Sequence, residues 1–242
     1  MQRAGEVVAI CHSRVARAIL PGVTTGDLDT IVRDTIAEHG ARSNFLGHHG
    51  FTGNICASVN DEIVHGIPGK RRLNDGDIIA VDIGAIVDGF HGDSAWTYAV
   101  GSISEDAQRL LADTEAALYE GIHQARVGNR LGAIGHAVEA YAAPRGYGIV
   151  REYGGHGIGR QMWEEPHIPN HGDSGLGIRL KRGMTLAIEP MFTLGTEDTQ
   201  VMEDEWTVTT TDGSWSAHFE HTITITDGDP VILTQRVETV VH

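Results

Sequence analysis

Three things are scarce in this sequence, and each scarcity narrows what the protein can be. Cysteine occurs twice in 242 residues, as Cys11 in a helical pattern and Cys56 in a strand-like one. Two thiols make no disulfide framework, so a reducing compartment fits and the cytoplasm is the expected location. Positive charge is the second scarcity: 18 Lys and Arg stand against 33 Asp and Glu, for a formal net charge of −15. Phosphate contacts need a basic face, so direct binding of nucleic acid is not expected. Apolar runs are the third. No stretch reaches the roughly 18 residues of a membrane helix, and the N-terminus has no apolar signal core, which argues against membrane insertion and secretion.

What is present is ample core material and much punctuation. Hydrophobic residues make up 40% of the chain, with 31 Gly and 14 His. The glycines separate ordered segments instead of forming low-complexity sequence, as tight turns and loops around a site require. The pattern predicts a helix over 2–19, stopped by Pro21-Gly22, and a second over 26–39, closed by Gly40. A glycine-rich, loop-rich region runs to Gly76, and a hairpin follows. A third helix starts after Ser104, a good N-cap with Glu105 and Asp106 in its first turn, and reaches about Arg126. A fourth covers 131–143, and from Ile149 the chain reads as strands and loops.

A weak internal echo accompanies this order. At an offset of 106 residues, Gly22, Gly26, Leu28, Val32 and Gly40 fall on Gly128, Gly132, Ile134, Val138 and Gly146. Two similar halves, each running helix, turn, helix, strand, would give an α+β domain with helices on one face of a mostly antiparallel sheet.

The hairpin is the informative segment. In "VDIGAIVDGFHGDSAWTY", residues 81–98, Asp88-Gly89 favours a two-residue turn. That turn pairs Val87 with Phe90, Gly84 with Asp93 and Asp82 with Ala95. Asp82 and Asp93 then share one face as diagonal neighbours about 7–8 Å apart. Two carboxylates so close need a shared proton or a cation between them. A hairpin whose aspartates face water is the plain alternative, but the flanking "DIIAV" reads as buried.

The second half offers partners: His156 in "GGHGIG", Glu189 in "AIEPM" and Glu220 in "HFEHT", the last read as lying in a regular strand. Each alone is ordinary. Together, four carboxylates in a core require about four compensating positive charges. Two divalent ions supply that number, and such a pair makes a nucleophile from water at neutral pH.

"DGFHGDSAWTY", "YGGHGIG", "AIEPM" and "SAHFEHTI", in this order and spacing, resemble the type I methionine aminopeptidases of the pita-bread, or creatinase-like, fold. The likeness spans nearly the whole chain and implies a single catalytic metallopeptidase domain over residues 1–242, with helices packed on a mostly antiparallel curved sheet in two pseudo-symmetric halves. It further implies that Asp82, Asp93, His156, Glu189 and Glu220 hold two divalent ions, Co, Mn or Fe. Asp93 and Glu220 would bridge both, Asp82 would hold one, and His156 with Glu189 the other. Glu189 would also move the proton, and His65 would meet the scissile amide and the free amino group. Phe51, Cys56, Met162 and Trp206 would line a methionine pocket, and Asn60 with Ser216 would hold a monovalent cation. The substrate implied is the N-terminus of a nascent polypeptide with a small second residue, and a monomer is expected.

Two positions depart from the family pattern. Trp163 stands where relatives usually carry a histidine thought to donate a hydrogen bond to the substrate carbonyl, so Trp163 becomes a substrate-binding candidate of a different kind. Phe45 replaces a smaller pocket residue and should narrow the slot. The alternatives are an X-Pro-specific peptidase of the same fold, which usually carries a further N-terminal domain, and a pita-bread protein that binds peptides with little or no activity. Such binding proteins tend to lose ligands, and all five positions are filled in this chain.

Overall fold

Two hydrophobic cores, one in each half, organise the computed structural model of the chain, which describes residues 1–236. In the first half, helix α1 (Gln2–Ala18) lies against the hairpin strands Ile78–Val87 and Phe90–Ala99, and α2 (Thr25–Glu38) packs on α1 and on the strand Ile55–Val59. Ala4, Val7, Val8, Cys11 and Val15 recur at helical spacing along α1 and are buried, the stripe an amphipathic helix needs. Helix α2 starts at a capping box in which the Thr24 hydroxyl accepts from the Asp27 N–H and the Asp27 carboxylate accepts from the Thr24 N–H. In the second half, α3 (Glu105–Gln124) is capped by Ser104, whose hydroxyl accepts from Ala107 N–H at 3.2 Å, and it packs on α4 (Gly132–Ala142).

The helices thus fall within a residue or two of the expected ends. The two halves also repeat in backbone detail. Gly22 and Gly128 adopt φ of 96° and 93°, and Gly40 and Gly146 adopt 64° and 78°, so the glycines matched in the sequence echo turn the chain alike. The region before Gly76 differs from expectation. It holds the strands Ile55–Val59 and Glu62–Val64, of which the first pairs along the inner hairpin strand from Ile55↔Ile83 to Val59↔Ile79. The strand-like pattern around Cys56 marks the first, whereas the three-residue second is too short for pattern reading.

Every strand pair among the described residues is antiparallel, and the pairs form four groups. The hairpin has the expected register: Val87↔Phe90, Gly84↔Asp93 and Asp82↔Ala95. Its turn residues Asp88 and Gly89 both have positive φ, 51° and 74°, as a twist-compatible two-residue turn demands.

The strands that carry the glutamates are each interrupted at one level. Thr185–Ile188 pairs with His221–Thr224, while Met191–Thr193, beyond Glu189-Pro190, pairs with Ser216–His218 in a different group. Glu220 lies between Ser216–His218 and His221–Thr224, so it occupies a break and not the interior of a regular strand as the alternating sequence suggested. The cause is opposite it. Pro190 cannot donate to a ladder, and the pairing changes group there.

Candidate metal centre

The two breaks and the hairpin converge. Asp93 and Glu220 are each only 2% exposed, and one ligand atom from each of Asp93, His156 and Glu220 lies within 4.8 Å of the others. Cross-links from the outer hairpin strand hold this arrangement. Asp93 N–H donates to Thr222 Oγ1 at 3.0 Å, Thr222 Oγ1 donates to the Asp93 carbonyl at 2.8 Å, and Ser94 Oγ donates to the Glu220 carbonyl at 2.6 Å. Glu220 N–H donates to the Ala95 carbonyl at 2.8 Å. Neighbouring residues of one strand therefore set the backbone height of two candidate ligands 127 positions apart in sequence, Asp93 and Glu220.

His156 reaches the cluster because its flanking glycines let the backbone in. A Cβ at Gly155 would stand 2.2 Å from the Ala187 carbonyl oxygen, and one at Gly157 would stand 2.3 Å from that of Glu165. The ring Nδ1 donates to the Gly157 carbonyl at 2.9 Å, which fixes the tautomer and leaves Nε2 as a lone-pair donor. That Nε2 is 3.7 Å from Glu189 Oε1. Glu189 is anchored from behind, where Asn170 Nδ2 donates to its backbone carbonyl at 3.0 Å.

The chemistry of this donor set fits divalent ions. Burial raises the Asp82 and Glu189 carboxyls from 3.8 and 4.5 to about 7, and burial together with repulsion from the neighbouring carboxylates, Asp82 and Glu189 among them, pushes Asp93 and Glu220 well above the ordinary range. Within 4 Å of the Glu189 carboxylate the basic side chains are His156 and His218 alone among the described residues, with no Lys or Arg in reach. Asp82 Oδ1, Asp93 Oδ1 and Glu220 Oε1 are buried without a hydrogen-bond partner. Buried acceptors of that kind are costly unless something positive meets them.

Beside the carboxylates lies an apolar slot. Phe45, Phe51, Cys56 and Met162 form a small buried cluster with Trp206 and Ile67 against it. A cavity of about 110 Å³ opens there, lined by Phe45, His48, Phe51, Cys56, His65, Trp163 and Trp206, with His49 at its edge. Phe51 meets Trp206 edge-on at 5.0 Å and Phe45 at 6.3 Å, so Phe45 does take space from the slot. His65 adopts a left-handed φ of 61° and packs against the Tyr153 ring at 5.8 Å. For a residue other than glycine this conformation carries strain, which is tolerated where position matters. Burial lowers its imidazole to about 4, and the neutral ring can exchange a proton or accept one.

Trp163 stands between slot and solvent, 43% exposed, with its ring 4.6 Å from that of His48 and 6.2 Å from that of His156. On its outer side a groove of about 560 Å³ runs past Gln161, Glu164, Glu165 and His167. His48, His49 and His218 were not singled out from sequence. His218 had a legible signal, since it lies two residues before Glu220 in an alternating segment and so on the same side. The two histidines after Gly47 had none.

Asn60 and Ser216 are brought together, with Ser216 N–H donating to the Asn60 carbonyl at 2.8 Å. The Asn60 side chain is committed elsewhere, donating to Asp77 Oδ1 at 2.9 Å and accepting from Ile78 N–H at 3.0 Å.

Comparison with known proteins agrees with this geometry. Residues 1–227 match the metallopeptidase family M24. The chain is 50% identical to methionine aminopeptidase 1 of Bacillus subtilis over 235 residues, covering 97% of this chain and 95% of that protein. It superimposes on the crystal structure of methionine aminopeptidase from Thermotoga maritima with a TM-score of 0.96 at 42% identity, covering 98% and 95% of the two chains. The prolidase from Pyrococcus horikoshii shares the fold at 19% identity and a TM-score of 0.76, with 62% of its own length covered.

Proposed function

The chain belongs to metallopeptidase family M24, and from that premise we propose that it is a methionine aminopeptidase, removing the first residue of new polypeptides that begin Met followed by a small residue. The observation that carries this reading is adjacency. A narrow apolar and aromatic slot, suited to a thioether, opens beside the buried Asp93, His156 and Glu220 cluster. Likeness to relatives that bear the same name over nearly their whole length supports it. The X-Pro alternative is not favoured, since its representatives share the fold at under 25% identity, and a non-catalytic binder is not favoured by five intact ligand positions. We take the whole chain as one catalytic domain acting as a monomer in the cytoplasm.

In this reading Asp82, Asp93, His156, Glu189 and Glu220 would hold two divalent ions. Imidazole with hard oxygen donors suits Mn, Fe or Co. When bound, such ions lend Lewis acidity to the scissile carbonyl and lower the pKa of the attacking water. The protein does the rest. Phe45, Phe51, Cys56, Met162 and Trp206 bind the methionine side chain and exclude water from it. His65, reaching the slot from its left-handed backbone position, meets the free amino group and the scissile amide. Glu189 accepts a proton from the attacking water and returns it to the leaving amine, a transfer suited to a carboxyl raised to about 7. Trp163 walls the second-residue subsite and the groove beyond it receives the rest of the chain. A monovalent cation near Asn60 and Ser216 would rest on the Asn60 carbonyl and Ser216 Oγ, because the Asn60 side chain is engaged.

A series of Met-Xaa-Ser peptides with Xaa from Gly to Leu tests the assignment. Free methionine should appear fastest from Gly and Ala and decline with size, whereas cleavage of Leu-Ala-Ser, run beside them, as fast as that of Met-Ala-Ser would remove methionine as the preferred first residue.

A further inference from the structure

His218 was given no role by the sequence pattern, yet its ring Nε2 stands 3.3 Å from Glu189 Oε2, nearer than His156 stands to the other oxygen at 3.7 Å. Resting on the assignment of Glu189 above, we propose that His218 is a positioning residue that holds Glu189 Oε2 through its Nε2–H, leaving Oε1 turned toward His156 and the buried carboxylates.

Three observations carry this. The His218 side chain is 2% exposed, and its Nε2 makes no hydrogen bond, with Glu189 Oε2 within reach at 3.3 Å but not aligned as an acceptor. A buried ring nitrogen without a partner is costly, so the carboxylate beside it is the group it must satisfy. The backbone that carries the ring is fixed at both polar groups by one side chain. His218 N–H donates to Thr97 Oγ1 at 2.9 Å, and Thr97 Oγ1 donates to the His218 carbonyl at 2.8 Å. Thr97 belongs to the strand Phe90–Ala99 that also carries Asp93, so the positioning ring and a ligand share one rigid scaffold.

Glu189 needs such a hold. Its backbone is secured by Asn170 and by the proline that follows, but the carboxyl group itself meets only two imidazoles among the described residues, one at each oxygen. If His218 is removed, the carboxyl can rotate about its last bond. The oxygen that faces His156 and the one that carries the proton are then no longer distinct. Proton transfer suffers more than substrate binding, because the methionine slot does not touch Glu189.

Two substitutions of similar volume separate the roles. His218→Met fills the space without an N–H donor, and His218→Gln restores a donor of similar reach. The Met variant is expected to lose about 10- to 100-fold in kcat and in affinity for one divalent ion, the usual range for a partner of a ligand, with KM within about threefold of wild type. The Gln variant should recover most of both. Manganese titration by calorimetry on metal-free protein gives the affinity independently of turnover. The proposal is overturned if the Met variant keeps wild-type kcat and Mn affinity, or if the Gln variant is as impaired as the Met variant. Outright loss of one ion from the Met variant would make His218 a ligand, which also overturns it. If wild-type protein releases no methionine with any metal, the functional reading falls, whereas the Mn titrations still decide whether His218 governs Glu189.

Discussion

Asp93→Asn separates the charge of the site from its shape. Asp93 is 2% exposed, and its burial and the neighbouring carboxylates push its carboxyl well above the ordinary range, toward the protonated form in the metal-free protein. Asparagine is close in shape to that protonated acid, and the metal-free fold should melt within about 2 °C of wild type. With metal the two diverge. Loss of a partner outside the ligand set costs about 10- to 100-fold in affinity, so loss of a shared ligand should cost at least the upper value. At a free metal concentration 100 times the wild-type Kd, wild type gains about 2.7 kcal/mol. A variant with Kd raised 100-fold gains only about 0.4 kcal/mol under the same relation. For a chain of this length a difference of about 2.3 kcal/mol corresponds to roughly 5–9 °C in the metal-induced rise of Tm. Thermal melts with and without Mn, together with metal content by mass spectrometry, provide the assay. A variant that shows the full metal-induced rise and binds two ions would refute the placing of Asp93 between them.

Three further outcomes follow from the site. His65→Ala should keep metal content near normal and lower turnover by about 10² or more, checked by metal analysis beside kcat; loss of metal would mean that His65 has been given the wrong role. Trp163→His should raise kcat/KM on Met-Ala peptides by about tenfold, mainly in kcat, if a donor to the carbonyl is what the Trp fails to replace in full; equal kcat values in the two proteins would make Trp163 packing against His48. The metal-induced rise in Tm should grow between pH 5 and 7.5. In the metal-free protein Asp82 and Glu189 keep protons up to about 7 that the unfolded chain releases near 4. The stability those protons give is present below the unfolded values and is lost as pH rises through the folded ones, while metal must displace fewer of them. A rise that is flat across this range would contradict the raised values.

How much of this was legible in the sequence depended on how local the determinant was. Asp88-Gly89 sets the hairpin register through two left-handed residues in direct succession, so the shared face of Asp82 and Asp93 could be read outright. The cap at Ser104 was equally local. Glu220 was misplaced into a regular strand because the break that frees it is imposed from the facing segment at Pro190, which no window around "HFEHT" contains. The slot draws Phe51, Cys56, Met162 and Trp206 from three distant segments, and only the likeness to a family brought them together beforehand. His48 is a ring set at a tilt against Trp163 by folding alone.

The central claim is that a dinuclear metal site beside a methionine slot removes N-terminal methionine. The most direct measurement is turnover of Met-Ala-Ser and of an X-Pro peptide by metal-free protein reconstituted separately with Mn, Fe and Co. The account predicts no release without metal, release of methionine from Met-Ala-Ser that rises to a plateau as metal is added, and no comparable cleavage of the X-Pro peptide. Cleavage that persists in the metal-free protein, or faster cleavage of the X-Pro peptide, would contradict it.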